Sequence, residues 1–79
     1  MRVLFFAHLR QVTGQEASEL LVSQAVTVEQ FWQLLGARYP QLLPFKTSVR
    51  LAKNCEYASP DARFSNFDEV ALIPPVSGG

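Results

Sequence analysis

From Arg2 to Leu9 the chain is apolar almost without a break: Val3, Leu4, Phe5, Phe6 and Ala7 follow one another. The β-branched and aromatic content predicts a strand. Val3, Phe5 and Ala7 would lie on one face and Leu4, Phe6 and His8 on the other. Both faces are largely apolar, which suits a central strand or one whose second face is covered. Gln11 to Gln15 contains Gly14 and reads as a turn. Ala17 to Val22 then forms a second strand, completing a hairpin.

The periodicity changes at Thr27. Thr27 and Gln30 match a capping box, with a hydroxyl at the N-cap and a Gln three residues on. A helix is expected from Val28 to about Arg38. Its apolar stripe is Val28, Phe31, Leu34 and Leu35, with Trp32 and Tyr39 beside it. Pro40 ends the helix, because the residue before a proline is pushed out of helical geometry. Gln41 to Phe45 holds Pro44 and reads as a loop or short turn.

Ser48 to Lys53 reads as a strand with Val49 and Leu51 inward and Arg50 and Lys53 toward solvent. Asn54 suits a tight turn, since Asn tolerates a left-handed backbone. A short strand at Glu56 to Ala58 follows, and Val70 to Ile73 is the last strand. Pro74 and Pro75 terminate it, because proline cannot donate to a ladder. The order β-β-α-β-(β)-β predicts an α+β fold, a mixed sheet with one main helix packed on one face. Side-by-side first and last strands would make it the β-grasp arrangement of ubiquitin. Residues 1–73 form that domain, and residues 74–79 an extended tail.

Length and charge narrow the function. A chain of 79 residues is one domain with a thin core. Seven basic residues balance seven acidic ones, and no basic stripe marks a nucleic-acid binder. No stretch approaches the ~20 apolar residues of a membrane span. The single cysteine, Cys55, cannot form an internal disulfide, which suits a reducing, cytoplasmic setting. A lone Cys is most often a small inert hydrophobe, with sulfur acceptor as the alternative reading. His8 is the only histidine, so no metal is expected.

The candidate chemistry lies in the last six residues, Pro74-Pro75-Val76-Ser77-Gly78-Gly79. Extended, they reach roughly 20 Å. Two prolines stiffen the base, and two glycines leave the tip without side chains. Such an arm can enter a narrow channel and deliver the Gly79 carboxylate into another protein. Glycine makes up about 7% of residues, so a terminal Gly-Gly arises by chance in roughly 0.5% of chains. A functional tail is therefore preferred over a frayed terminus.

These residues resemble a known family. Val3-Leu4-Phe5-Phe6-Ala7 with Arg10, Thr27-Val28-Glu29, Asp68-Glu69-Val70-Ala71 and the Pro-Pro-Val-Ser-Gly-Gly ending resemble molybdopterin synthase small subunits over the whole chain. The resemblance implies a sulfur carrier that is no enzyme on its own. An E1-like enzyme would use ATP to adenylate Gly79. Sulfur from a donor protein would convert it to a thiocarboxylate. The tail would then enter the synthase large subunit and give its sulfur to cyclic pyranopterin monophosphate, forming the dithiolene of molybdopterin. The assembly implied is a heterotetramer, with catalytic side chains on the large subunit and no cofactor bound by the carrier.

Strand alternation adds an expected partner surface. With Val70 and Leu72 inward, Ala71 and Ile73 face outward beside Phe6, and Arg10 stands at the strand's end. Three alternatives remain open: a sulfur carrier for thiazole synthesis, a protein modifier, and a β-grasp interaction module with an inert tail.

Overall fold

The computed structural model describes residues 1–75. The chain runs β1 (Arg2–Phe5), α1 (His8–Thr13), β2 (Ala17–Glu19), β3 (Val26–Thr27), α2 (Val28–Arg38), a 3₁₀ segment (Pro40–Phe45), β4 (Arg50–Lys53), β5 (Glu56–Tyr57), β6 (Arg63–Phe64) and β7 (Glu69–Ile73). Five strands form one mixed sheet in the order β2-β1-β7-β4-β5, and β3 and β6 form a second, two-stranded sheet. The first and last strands are parallel neighbours, with Val3 opposite Val70 and Phe5 opposite Leu72. This is the ubiquitin-like β-grasp topology expected if the first and last strands are neighbours, and the ladder shows that they are.

Helix α2 forms where the capping box placed it. Thr27 Oγ1 accepts from the Gln30 N–H at 3.1 Å, and Gln30 Oε1 accepts from the Thr27 N–H at 2.9 Å. Two otherwise orphaned donors are satisfied reciprocally. The buried face of α2 differs from the expected stripe. Phe31, Trp32 and Leu35 are buried, as is Tyr39 just beyond the helix, while Leu34 is 41% exposed. The stripe that packs is Val28, Trp32, Leu35 and Tyr39 with Phe31, a helical spacing rotated away from Leu34.

The core lies between this helix face and the inner face of the large sheet. Val3, Phe5, Val70 and Leu72 supply the sheet side, and Phe64 reaches in from β6. The Phe31 and Phe64 ring centroids are 5.1 Å apart, and Phe5 meets Tyr39 edge-on at 5.5 Å. Burying such side chains contributes about 1.5–3 kcal/mol each.

The first strand is shorter than expected. Ala7 adopts φ 52°, which a β-strand does not permit, so the ladder stops at Phe5. Ala7 is exposed instead of facing the helix. The predicted turn over 11–15 is largely helix α1, held to the core by buried Leu9 and closed by Gly14 at φ 74°. Strand β2 likewise ends at Glu19, and β4 begins at Arg50. Lys53 is not simply solvated: its Nζ donates to the Arg63 carbonyl at 2.7 Å. Among the described residues no helix is long and apolar enough to cross a membrane.

Candidate functional site

Strand β7 occupies the middle of the sheet, between β1 and β4. Val70 and Leu72 are fully buried on its inner side, so Ala71 and Ile73 point to the opposite face. The ladder registers place a row across that outer face: Ala17, Leu4, Ala71, Ala52 and Tyr57 are successive cross-strand partners. One step nearer the tail, Ile73 lies opposite Arg50. Pro74 and Pro75 continue directly from Ile73, so this row marks the root of the tail.

Phe6 and Arg10 join this face at the end of β1. Phe6 is 38% exposed. It follows the last residue of β1 and lines one surface depression with Leu4, Arg10 and Ala17. The Arg10 guanidinium lies 6.0 Å from the Phe6 ring centroid, and its Nε donates to the Phe5 carbonyl at 3.2 Å. Arg10 also stands 4.0 Å from a Glu16 carboxylate oxygen. An arginine held this way keeps its stem over the aromatic ring and its head in water.

The other end of β7 is fixed by polar contacts. Asn54 pairs its backbone N–H with the Glu69 carbonyl at 2.8 Å, and its side-chain oxygen accepts from the Glu69 N–H at 2.9 Å. Asp68 accepts from the Ser65 N–H at 2.7 Å and from the Asn54 amide at 3.0 Å. Partial burial acts to raise the Asp68 pKa, but these hydrogen bonds and the nearby Lys53 ammonium outweigh it. The carboxyl is held below its ordinary value. The register of β7 is thus set from its first residue.

Of the residues singled out in the sequence, Phe6, Arg10, Ala71 and Ile73 come together on one face. Val76, Ser77, Gly78 and Gly79 lie outside the described residues. The sequence reading missed Ala52, Tyr57 and Arg50 on the same face. The signal for them was Asn54: it and Cys55 have φ of 51° and 75°, the two-residue hairpin geometry that fixes Lys53 opposite Glu56 and Ala52 opposite Tyr57. Cys55 is exposed at this turn. Among the described residues no three His, Cys, Asp or Glu side chains gather as a metal site.

The chain is similar along its whole length to proteins of known name. The molybdopterin synthase sulfur carrier subunit of Arabidopsis thaliana is 35% identical over 79 residues, covering all of this chain and 82% of the relative. The human protein of the same name is 30% identical over 82 residues, covering all of this chain and 93% of the relative. The crystal structure of SAMP1 from Haloferax volcanii, a small archaeal modifier protein, superposes with a TM-score of 0.85 at 29% identity, covering 100% of this chain and 98% of that one. The family model described as the ThiS family matches residues 3–79, and the chain belongs to that family.

Proposed function

We propose that this chain is the sulfur carrier subunit of a molybdopterin synthase, bearing the transferable sulfur as a thiocarboxylate on Gly79. The observation that carries the reading is a β7 strand fixed in the centre of the sheet that runs straight into Pro74-Pro75 and the Gly-Gly ending. Relatives of that name, aligned over the whole chain, support it.

In this reading the chain does no catalysis alone. An E1-like enzyme uses ATP to adenylate the Gly79 carboxylate, because a free carboxylate is a poor electrophile. Sulfur originating from a donor protein then takes the place of one oxygen. The tail enters the large subunit, whose side chains carry out transfer to cyclic pyranopterin monophosphate. The carrier's own contributions are reach, a tip without side chains, and a docking face of Phe6, Arg10, Ala71 and Ile73 at the tail's root. Two carriers and two large subunits make a heterotetramer in the cytoplasm. The carrier binds no cofactor of its own.

The test is intact-mass analysis of the full chain after incubation with ATP, the activating enzyme and a sulfur donor. Replacement of one oxygen by sulfur at Gly79, followed by its loss when the large subunit and pterin substrate are added, is the expected result. A second reading, protein modifier, is favoured by the likeness to the archaeal modifier protein. It requires isopeptide-linked conjugates, which would appear as a ladder on denaturing gels.

A further inference from the structure

Arg50 differs from the other cations of the outer face. It lies opposite Ile73, beside the root of the tail. Its guanidinium carbon sits 4.0 Å from the centroid of the Tyr57 ring. Tyr57 is brought there by β5, where it pairs with Ala52, and it is 61% exposed. Arg2 and Arg10 each have a carboxylate within 4.0 Å, Glu69 and Glu16 respectively. Among the described residues Arg50 has none, and its side chain makes no hydrogen bond there.

A guanidinium lying over a ring has one flat face covered and its N–H donors directed outward in its own plane. That fork matches a carboxylate at two points. The ring also restricts the side chain before binding, so less freedom is lost when a partner arrives. The surroundings decide what kind of partner fits. Ile73, Ala71, Leu4 and Phe6 make the neighbouring surface apolar, and the nearest other cations already face acids. A polyanion would find, among the described residues of this face, one cation without an acid beside it in an apolar setting. A protein surface with one acidic side chain among apolar ones complements it fully.

We infer that Arg50, held on Tyr57, is a specificity-determining contact that binds a carboxylate side chain of the protein receiving the tail. The inference rests on the docking role proposed above and names the chemistry of the partner's side. Opposite charges at this position favour the right partner, and a wrong partner with a cation there is repelled.

The experiment is calorimetric titration of the molybdopterin synthase large subunit from the same organism with the full chain. Wild type, Arg50→Lys, Arg50→Ala and Arg50→Glu are compared at low and high salt, with thermal unfolding of each carrier. Arg50→Ala should bind about tenfold more weakly and with less salt dependence. Arg50→Glu should lose on the order of 100-fold, and Arg50→Lys should fall between wild type and Ala because it lacks the planar fork. Unfolding temperatures should agree, since an exposed stack contributes little to stability. Changing the large subunit's acidic residues one at a time to Lys should reveal one that restores binding to Arg50→Glu. Equal affinities for all four carriers, or no restoring residue, overturn the inference alone. Failure of the wild-type carrier to bind overturns the proposed function and the inference with it.

Discussion

Asn54 and Asp68 tie the β4–β5 turn to the start of β7: the Asn54 amide donates to one Asp68 carboxylate oxygen at 3.0 Å, while the other accepts from the Ser65 N–H at 2.7 Å. The Asp68 side chain is only 14% exposed. Its folded pKa is depressed, so ionised Asp68 contributes stability above the unfolded carboxyl's pKa of about 3.9. That contribution is lost as pH falls through the lower, folded value. Asp68→Asn should therefore cost about 1–3 kcal/mol at neutral pH and reduce the loss of stability in acid below about pH 4. Urea unfolding of both proteins from pH 7 to pH 2 checks this. Parallel curves would remove Asp68 from the acid response.

Tyr39 tests the polar side of the core. Its hydroxyl is hydrogen-bonded to Gln15 Oε1 at 2.8 Å and to Ser18 Oγ at 3.0 Å. Ser18 is buried on β2. Tyr39→Phe keeps the edge-on contact with Phe5 but removes a partner from a buried hydroxyl. A loss of about 1–2 kcal/mol is expected, and Tyr39→Phe combined with Ser18→Ala should recover part of it. Thermal unfolding of the two single variants and the double variant measures the coupling.

These contacts show what was legible in the sequence and what was not. The cap at Thr27 and the stop at Pro40 are local signals, and α2 runs between them as they specified. That β1 and β7 need burial was legible from two apolar runs, but their parallel pairing is shown by the folded sheet and not by the sequence. The end of β1 was hidden because Phe6 and Ala7 continue the apolar pattern. The strand stops through a positive φ at Ala7, and Leu9, two residues after Ala7, is drawn into the core from a helix instead. The two-residue pairing of Val26 and Thr27 with Phe64 and Arg63 leaves no periodicity to detect. On the candidate site, Ala71 and Ile73 were legible by alternation from buried Val70 and Leu72. Arg50 and Tyr57 depend on which strands are neighbours, and that is a property of the folded sheet.

Phe6→Asp separates docking from folding. Phe6 lies beyond the ladder and outside the buried core, so the variant should unfold within a few degrees of wild type. An aromatic anchor at the centre of an interface commonly contributes 2 kcal/mol or more, so large-subunit affinity should fall by about 30-fold or more. Calorimetry and thermal unfolding on one preparation decide the matter. Loss of the fold would place Phe6 in the core, and unchanged affinity would remove it from the docking face.

Deleting Gly79 separates docking from chemistry. The last strand ends at Ile73 and Leu72 is its last buried side chain, so the fold should keep its unfolding temperature. The sheet face is intact and most of the arm remains, so large-subunit binding should persist. The shortened chain still ends in a carboxylate, now on Gly78, with the same intrinsic reactivity. What changes is position, since the group is withdrawn by about one residue, ~3.3 Å. A displacement of about 1 Å at reacting atoms can already cost roughly 100-fold in rate. Thiocarboxylate formation and molybdopterin production should both fall below detection in the deletion. Restoring the length with Ala at position 79 should give partial activity, because the reach returns while a Cβ now crowds the reacting carbon. Wild-type turnover by the shortened chain would take the tail out of the mechanism.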